Sequence, residues 1–281
     1  MSNTIEVTIG MCQSLVEFGN IEGNLKRGEA LARKAASAGC NIIVLPECMD
    51  IGWTCPGAKD LAEPIPGKIS EQFCDWAREL GIYLATGLTE RAGDAFYNAA
   101  ILVSPDGDIL LKHRKINELN IAHDIYSPGD SLGVAVTQYG KISIDICADN
   151  FPSSQAIGHV LGRMGARLIL SPSAWAVPAD HDNKKHPYGK MWKQSYAKLA
   201  KLYDLHVIGV SNVGWITGGP WKGQKCIGNS IAVGPSGKVI AQGPHGVDAE
   251  AMVPVNVTIT PQDAWGTVLV NRIRKKGYHG G

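Results

Sequence analysis

The chain has 281 residues, 44% of them hydrophobic and 19% charged, which is enough to bury a sizeable core in one domain. Its 27 basic and 26 acidic side chains leave a formal charge of +1 with no long basic block, so neither a nucleic-acid footprint nor a membrane-surface patch is expected. Seven cysteines without a CxxC pair read as reduced thiols and point to a cytoplasmic protein.

The opening MSNTIEVTIGMCQ has no basic region leading into an apolar run, and no stretch reaches the roughly 18 apolar residues of a membrane span. His181 and His186 do not form a zinc pattern, and no HExxH occurs, so neither a metal nor another cofactor is expected.

In chain order, residues 5–12 read as a strand. Residues 20–38 read as an amphipathic helix, with Ile21, Leu25, Ala32, Ala35 and Ala36 on one face and Gly39 as its stop. NIIVL at 41–45 is the continuous apolar run of a strand covered on both faces. A helix over 69–80 and strands over 82–90 and 97–103 follow, then a Ser-Pro-Asp-Gly turn and a strand over 109–113. Two strands are expected within 133–147, a helix over 155–164 and a strand over 167–170. Next come a helix over 190–203 and strands over 206–211, 227–233, 239–242 and 251–257. Two blocks of strand–helix units without a linker predict an α/β fold in one domain: two mixed sheets face to face with helices outside, a four-layer α-β-β-α sandwich.

Three strand-like runs end in reactive side chains. NIIV leads to Leu45-Pro46-Glu47, DILLK to His113-Arg114-Lys115, and KISIDI to Cys147. In the last of these Ile142, Ile144 and Ile146 share one face, while Ser143, Asp145 and Cys147 share the other. Taken singly, Glu47 reads as a solvated acid and Lys115 as a surface charge. Strand ends often converge on one pocket in α/β folds, however, so the three together are a candidate site.

LPECMDIGW, HRKINEL and ISIDICADNFP, in this order, resemble the three signature blocks of the nitrilase superfamily of carbon–nitrogen hydrolases. SPGD at 127–130, YNAAILVSPDG at 97–107 and GNSIAVGPSGKVIA at 228–241 extend the likeness over about residues 5–257. The resemblance implies a catalytic triad of Glu47, Lys115 and Cys147. The chemistry supports those residue types: an amide needs an activated nucleophile, a base for its proton and a charge to hold the oxyanion.

The chain also departs from the pattern. Where many members have an Arg after the cysteine, as in CxDxRFPE, it reads CADNFPSS, which puts substrates held by their carboxylate in doubt. Many members place a second glutamate before PGD. Here Glu118 and Asp124 occupy that gap, and Asp124, nearer PGD, is preferred. Trp53 and the aromatic, polar stretch 173–189, with Trp175, His181 and Tyr188, are candidate substrate contacts. Asp149 is expected to fix the turn after the nucleophile through backbone hydrogen bonds.

The function expected is hydrolysis of a small linear amide or carbamoyl compound through a Cys thioester, by an amidase- or carbamoylase-type enzyme. The partner would be a small-molecule substrate. The alternatives are a nitrile hydrolase or acyl-transfer enzyme of the same fold, a non-catalytic binding protein, and a redox-sensing thiol protein. The carbon–nitrogen hydrolase domain is expected over 1–260. Residues 261–281 form a C-terminal extension whose apolar Trp265, Val268, Leu269 and Val270 would face a partner subunit in a homo-oligomer, a dimer or multiples of one.

Overall fold

The computed structural model describes residues 4–280. It contains two six-stranded mixed sheets. From edge to edge the first runs Ala251–Ile259, Ile5–Gln13, Ile42–Val44, Tyr83–Ala92, Ala95–Val103, Ile109–Arg114. The second runs Val239–Gln242, Ile231–Val233, His206–Ser211, Leu168–Ser173, Gly140–Ile144, Ala135–Thr137. Both have one plan. Three parallel strands, the first sheet's beginning with Ile5–Gln13 and the second's with Gly140–Ile144, are flanked by antiparallel neighbours. Parallel strands need crossovers, and helices supply them.

Residues 42–44 explain the layering. Ile42 and Val44 join a core cluster that also contains Ile9 and Met11 of the first sheet and Ile142, Ile144, Leu168 and Leu170 of the second. Ile43 points the other way, into a cluster with Ala32 and Ala35 of the helix Ile21–Ser37 and with Phe73, Trp76 and Ala77 of the helix Lys68–Leu80. A strand of three residues has few ladder bonds, so burial on both faces holds it, at about 1.5–3 kcal/mol per large aliphatic side chain. On the far side Gln155–Arg163 and Lys190–Tyr203 pack on the second sheet through residues such as Leu161, Tyr196 and Leu199. The four-layer sandwich in a single domain is therefore the fold.

The helix ends follow local chemistry. The Asn20 side chain accepts from the Gly23 N–H at 3.1 Å and so satisfies one of the free donors of the first turn. Lys68–Leu80 ends on Gly81 at φ 63°, a left-handed stop that glycine adopts without steric cost.

Four elements differ from the sequence reading. The expected strand 227–233 is broken into Lys225–Ile227 and Ile231–Val233, because Gly228 and Asn229 are both left-handed, with φ 63° and 62°. A third, small sheet of Val213–Trp215, Lys225–Ile227 and Ala176–Val177 went unread, since two or three residues are too few to display an alternation. The short helix Ala58–Leu61 went unread as well.

The last difference is at the C-terminus, where Gly266–Lys275 is helical. Leu269 and Ile273 enter the core cluster that joins the sheets, while Trp265 is 48% and Val268 62% exposed. Its basic end is tied down: Arg272 meets Asp263 at 2.6 Å and Lys276 meets Asp204 at 2.8 Å. No described helix is long and apolar enough to cross a membrane.

Candidate active site

Glu47 follows the buried strand Ile42–Val44 and is 1% exposed. Its backbone N–H donates to the Ser173 carbonyl at 3.3 Å, which joins the ends of the two sheets at this point. Gly87 makes the turn there possible, since a Cβ on it would lie 2.6 Å from the Glu47 Cα. Lys115 follows the strand Ile109–Arg114, and its side chain is 1% exposed. The SPGD turn closes on this strand: Gly129 N–H donates to the Lys115 carbonyl at 2.8 Å, and a Cβ on Gly129 would collide with the Arg114 carbonyl.

The charges along 112–115 separate by partner. Arg114 donates to both oxygens of buried Glu90 at 2.7 and 2.9 Å, and Lys112 reaches the same carboxylate at 2.7 Å. Lys115 turns inward, so its reading as a surface charge is excluded.

The alternating strand stops at Ile144, short of the cysteine. Cys147 opens a 3-10 turn, Cys147–Asn150, and holds φ at 43°. A left-handed conformation in a non-glycine residue costs roughly 1–3 kcal/mol and persists only where surrounding contacts enforce it. Asp149 supplies those contacts. Its Oδ1 accepts from the Ile116 and Asn117 N–H groups at 3.1 and 2.8 Å. Its Oδ2 accepts from the Ile146 N–H at 3.0 Å and lies 2.8 Å from His113 Nε2. One carboxylate thus fixes the cysteine turn and ties it to the lysine segment. Asp145 serves the same turn from the other side, accepting from Asn150 Nδ2 at 2.6 Å; burial pushes its carboxyl up to about 7.

Lys115 Nζ donates to Glu47 Oε1 at 2.7 Å and lies 3.3 Å from Glu118 Oε1. Asn98 Nδ2 donates to Glu47 Oε1 at 2.6 Å and to Glu118 Oε2 at 3.1 Å. Glu47 Oε1 is engaged by these donors, whereas buried Oε2 has no hydrogen-bond partner among the described residues.

Burial pushes Glu47 above the ordinary carboxylate range against the pull of Lys115, with Glu118 adding to the rise. Burial opposes the charge on Lys115, but Glu118 and Glu47 outweigh it and hold the ammonium charged. Burial and then Glu47 push the Cys147 thiol well up, so at rest it carries its proton; Lys115 and the Ala174 N–H work in the opposite direction.

These three side chains open on a cavity of about 60 Å³ walled by Trp53, Trp175, Tyr188, Trp192, Trp221 and Phe151. Trp175 and Trp192 stack with centroids 4.9 Å apart, and Trp221 meets Trp53 edge-on at 5.0 Å. Trp53, Trp175 and Tyr188, candidate substrate contacts in the sequence, line this cavity. His181 does not: it lines a separate surface cleft beside His186 and Lys190. Asp124 is also corrected, since it lies exposed on the surface while Glu118 is the carboxylate at the lysine.

Asn98, Trp192 and Trp221 were missed. Asn98 alone left a trace, as a lone amide inside an otherwise apolar strand. Among the described residues no group of three or more His, Cys, Asp and Glu side chains could hold a metal ion.

Fold and site together define an α/β sandwich with a cysteine, a carboxylate and a lysine at the mouth shared by its two sheets. The carbon-nitrogen hydrolase family model matches residues 8–258, and the chain belongs to that family. A nitrilase of Pyrococcus abyssi is 30% identical over 224 residues, 78% of each chain. An omega-amidase of Danio rerio is 32% identical over 163 residues, 54% of this chain, and the match spans 58% of that relative's length. The crystal structure of a carbon-nitrogen hydrolase from Helicobacter pylori superposes with a TM-score of 0.81 at 21% identity, covering 97% of this chain and 93% of that one, and so shares the fold.

Proposed function

We propose that the protein is a thiol-dependent hydrolase of a non-peptide carbon–nitrogen bond in a small linear amide or carbamoyl compound. The observation that carries this reading is that Cys147, on a strained turn, opens on one small cavity with Lys115 and with Glu47, whose buried Oε2 has no hydrogen-bond partner among the described residues. Glu47 takes the thiol proton as sulfur attacks the carbonyl carbon, and the charge that develops on oxygen is held by Lys115. The carbon–nitrogen bond then breaks. The proton from Glu47 leaves on the nitrogen as ammonia, and an acyl thioester remains on Cys147. Water, deprotonated by Glu47, attacks the thioester; the acid departs and the proton returns to sulfur. Similarity to omega-amidases supports an amide substrate, and the nitrilase relative keeps nitrile hydrolysis as the second reading.

The test is ammonia release from a panel of amides, carbamoyl compounds and nitriles, with mass spectrometry of Cys147. Ammonia together with an acyl adduct on Cys147 that is absent in Cys147→Ala is expected. Full turnover in Cys147→Ala would overturn the proposal. Acid formed from nitriles but not from amides would move it to the second reading.

A homo-oligomer, dimeric or a multiple of that, belongs to the same proposal. It is supported by the exposed Trp265 and Val268 on the last helix and is tested by light scattering, where a mass near 30.0 kDa would refute it. A cytoplasmic setting is supported by the seven cysteines, all free.

A further inference from the structure

We infer, on the basis of that proposed amidase reading, that the pocket selects an uncharged amide with a compact apolar acyl group and rejects amides bearing a carboxylate. The walls carry the argument. Among the described residues only two charged ones line the cavity, Glu47 and Lys115, and the lysine is held at 2.7 Å by one carboxylate and at 3.3 Å by another. With both carboxylates ionised the cluster has a net charge of −1, and with Glu47 protonated it is neutral. In neither state is there a surplus positive charge for a substrate anion.

Among the described residues no arginine or histidine lines the cavity. Phe151, four residues past the nucleophile, occupies the wall, and its ring lies 5.3 Å from that of Trp192. Trp192 Nε1 already donates to Tyr188 Oη at 3.0 Å, and the indole N–H groups of Trp53 and Trp175, which have no hydrogen-bond partner among the described residues, are neutral donors that bring no charge to balance an anion. A carboxylate entering this space would lose its water and meet indole and phenyl faces, whose negative quadrupole repels it. The alkyl part of a neutral amide gains from the same surfaces. A cavity of about 60 Å³ is small, so the acyl group it takes is compact.

An ammonium group would suit aromatic faces as well. The neutral class is favoured because Glu47, the carboxylate that lines the cavity, is already paired with Lys115 and is needed as a base, while Glu118 stands behind the lysine and outside the lining.

The test compares kcat/KM for three amides of matched length: 4-methylpentanamide, succinamate, whose carboxylate replaces the isopropyl group, and 4-aminobutanamide. The neutral amide is expected to exceed succinamate by about 100-fold or more, the scale of one unpaired buried charge. Phe151→Arg should narrow that ratio by raising succinamate turnover. Succinamate or 4-aminobutanamide matching the neutral amide would overturn the inference while leaving the hydrolase reading in place.

Binding of the same three amides to Cys147→Ala, followed by tryptophan fluorescence, reads the pocket without chemistry. If none of the three amides is turned over, the binding order still decides the preference. Equal or tighter binding of succinamate would refute it.

Discussion

Glu118 Oε1 lies 3.3 Å from Lys115 Nζ, and both side chains are almost completely out of solvent. The ammonium is therefore shared between two carboxylates, Glu47 in front of it and Glu118 behind. This sharing holds its charge in a place where an isolated ion would be expelled or neutralised.

Glu118→Gln keeps the shape of the side chain and removes the second carboxylate. Turnover is expected to fall on the order of 10-fold to 100-fold as the lysine shifts toward Glu47, with a smaller change in KM. Asp124→Asn, on the exposed surface, should leave steady-state kinetics unchanged. Equal losses in the two variants would refute the placement.

Glu47→Gln should lower kcat by on the order of 10²-fold or more, because the amide cannot accept the thiol proton. Lys115→Met should lose as much, and it should also lower the melting temperature by leaving two buried carboxylates facing each other. Thermal melts alongside kinetics separate the two effects. Normal kcat in Glu47→Gln would remove it from the chemistry.

Asp149→Asn tests a residue that positions the nucleophile without touching substrate. Four donors converge on its carboxylate, and an amide can accept at one of its two termini only. The expected cost is about 1–3 kcal/mol of stability, seen as an earlier denaturant midpoint, with kcat falling while KM is retained. An unchanged kcat would show that the cysteine turn holds its conformation unaided.

Activity should be lost on acidification at a pH above the ordinary carboxylate range. The sign follows from Glu47, which burial raises and which must be deprotonated to act as base, so falling pH titrates it out early. The Cys147 thiol, pushed well up by burial, should react slowly with iodoacetamide near neutrality. The pH profiles of kcat/KM and of alkylation check both points, and rapid alkylation that is insensitive to Glu47→Gln would contradict them.

His159 contacts the Tyr203 hydroxyl at 3.0 Å and stacks on Tyr278 at 4.2 Å, and burial lowers it to about 4. A histidine kept neutral by the fold has no effect on stability above its unfolded value near 6.5. As pH falls from there toward 4 the unfolded chain binds the proton first, and stability is lost. His159→Gln should therefore show a smaller drop in melting temperature between pH 7 and pH 5 than the parent protein. Buried Asp50 and Asp145, raised to about 7, run the opposite way in both proteins and cancel in the comparison. An identical drop would exclude His159.

The sequence by itself determined the elements long enough to show their period and the residue types at the ends of three strands. The helix at 21–37 was legible because burial on one face imprints a repeat of 3.6 on the chain, and the strand ending near Cys147 because apolar and polar side chains alternate along it although both of its faces are buried. Glu47, Lys115 and Cys147 were legible as a set because each follows a strand-like run and because the blocks around them resemble the signature blocks of the nitrilase superfamily. The tertiary structure alone decided which carboxylate stands behind the lysine. Distance along the chain to PGD favoured Asp124, yet the direction in which the loop turns buries Glu118 and leaves Asp124 outside. It also decided the pocket walls. Phe151, Trp192 and Trp221 come from three separate segments, and no local pattern records that two packed sheets bring them around one thiol. Proximity between distant segments is set by the layers packing on one another, and a one-dimensional period carries only the faces that will pack.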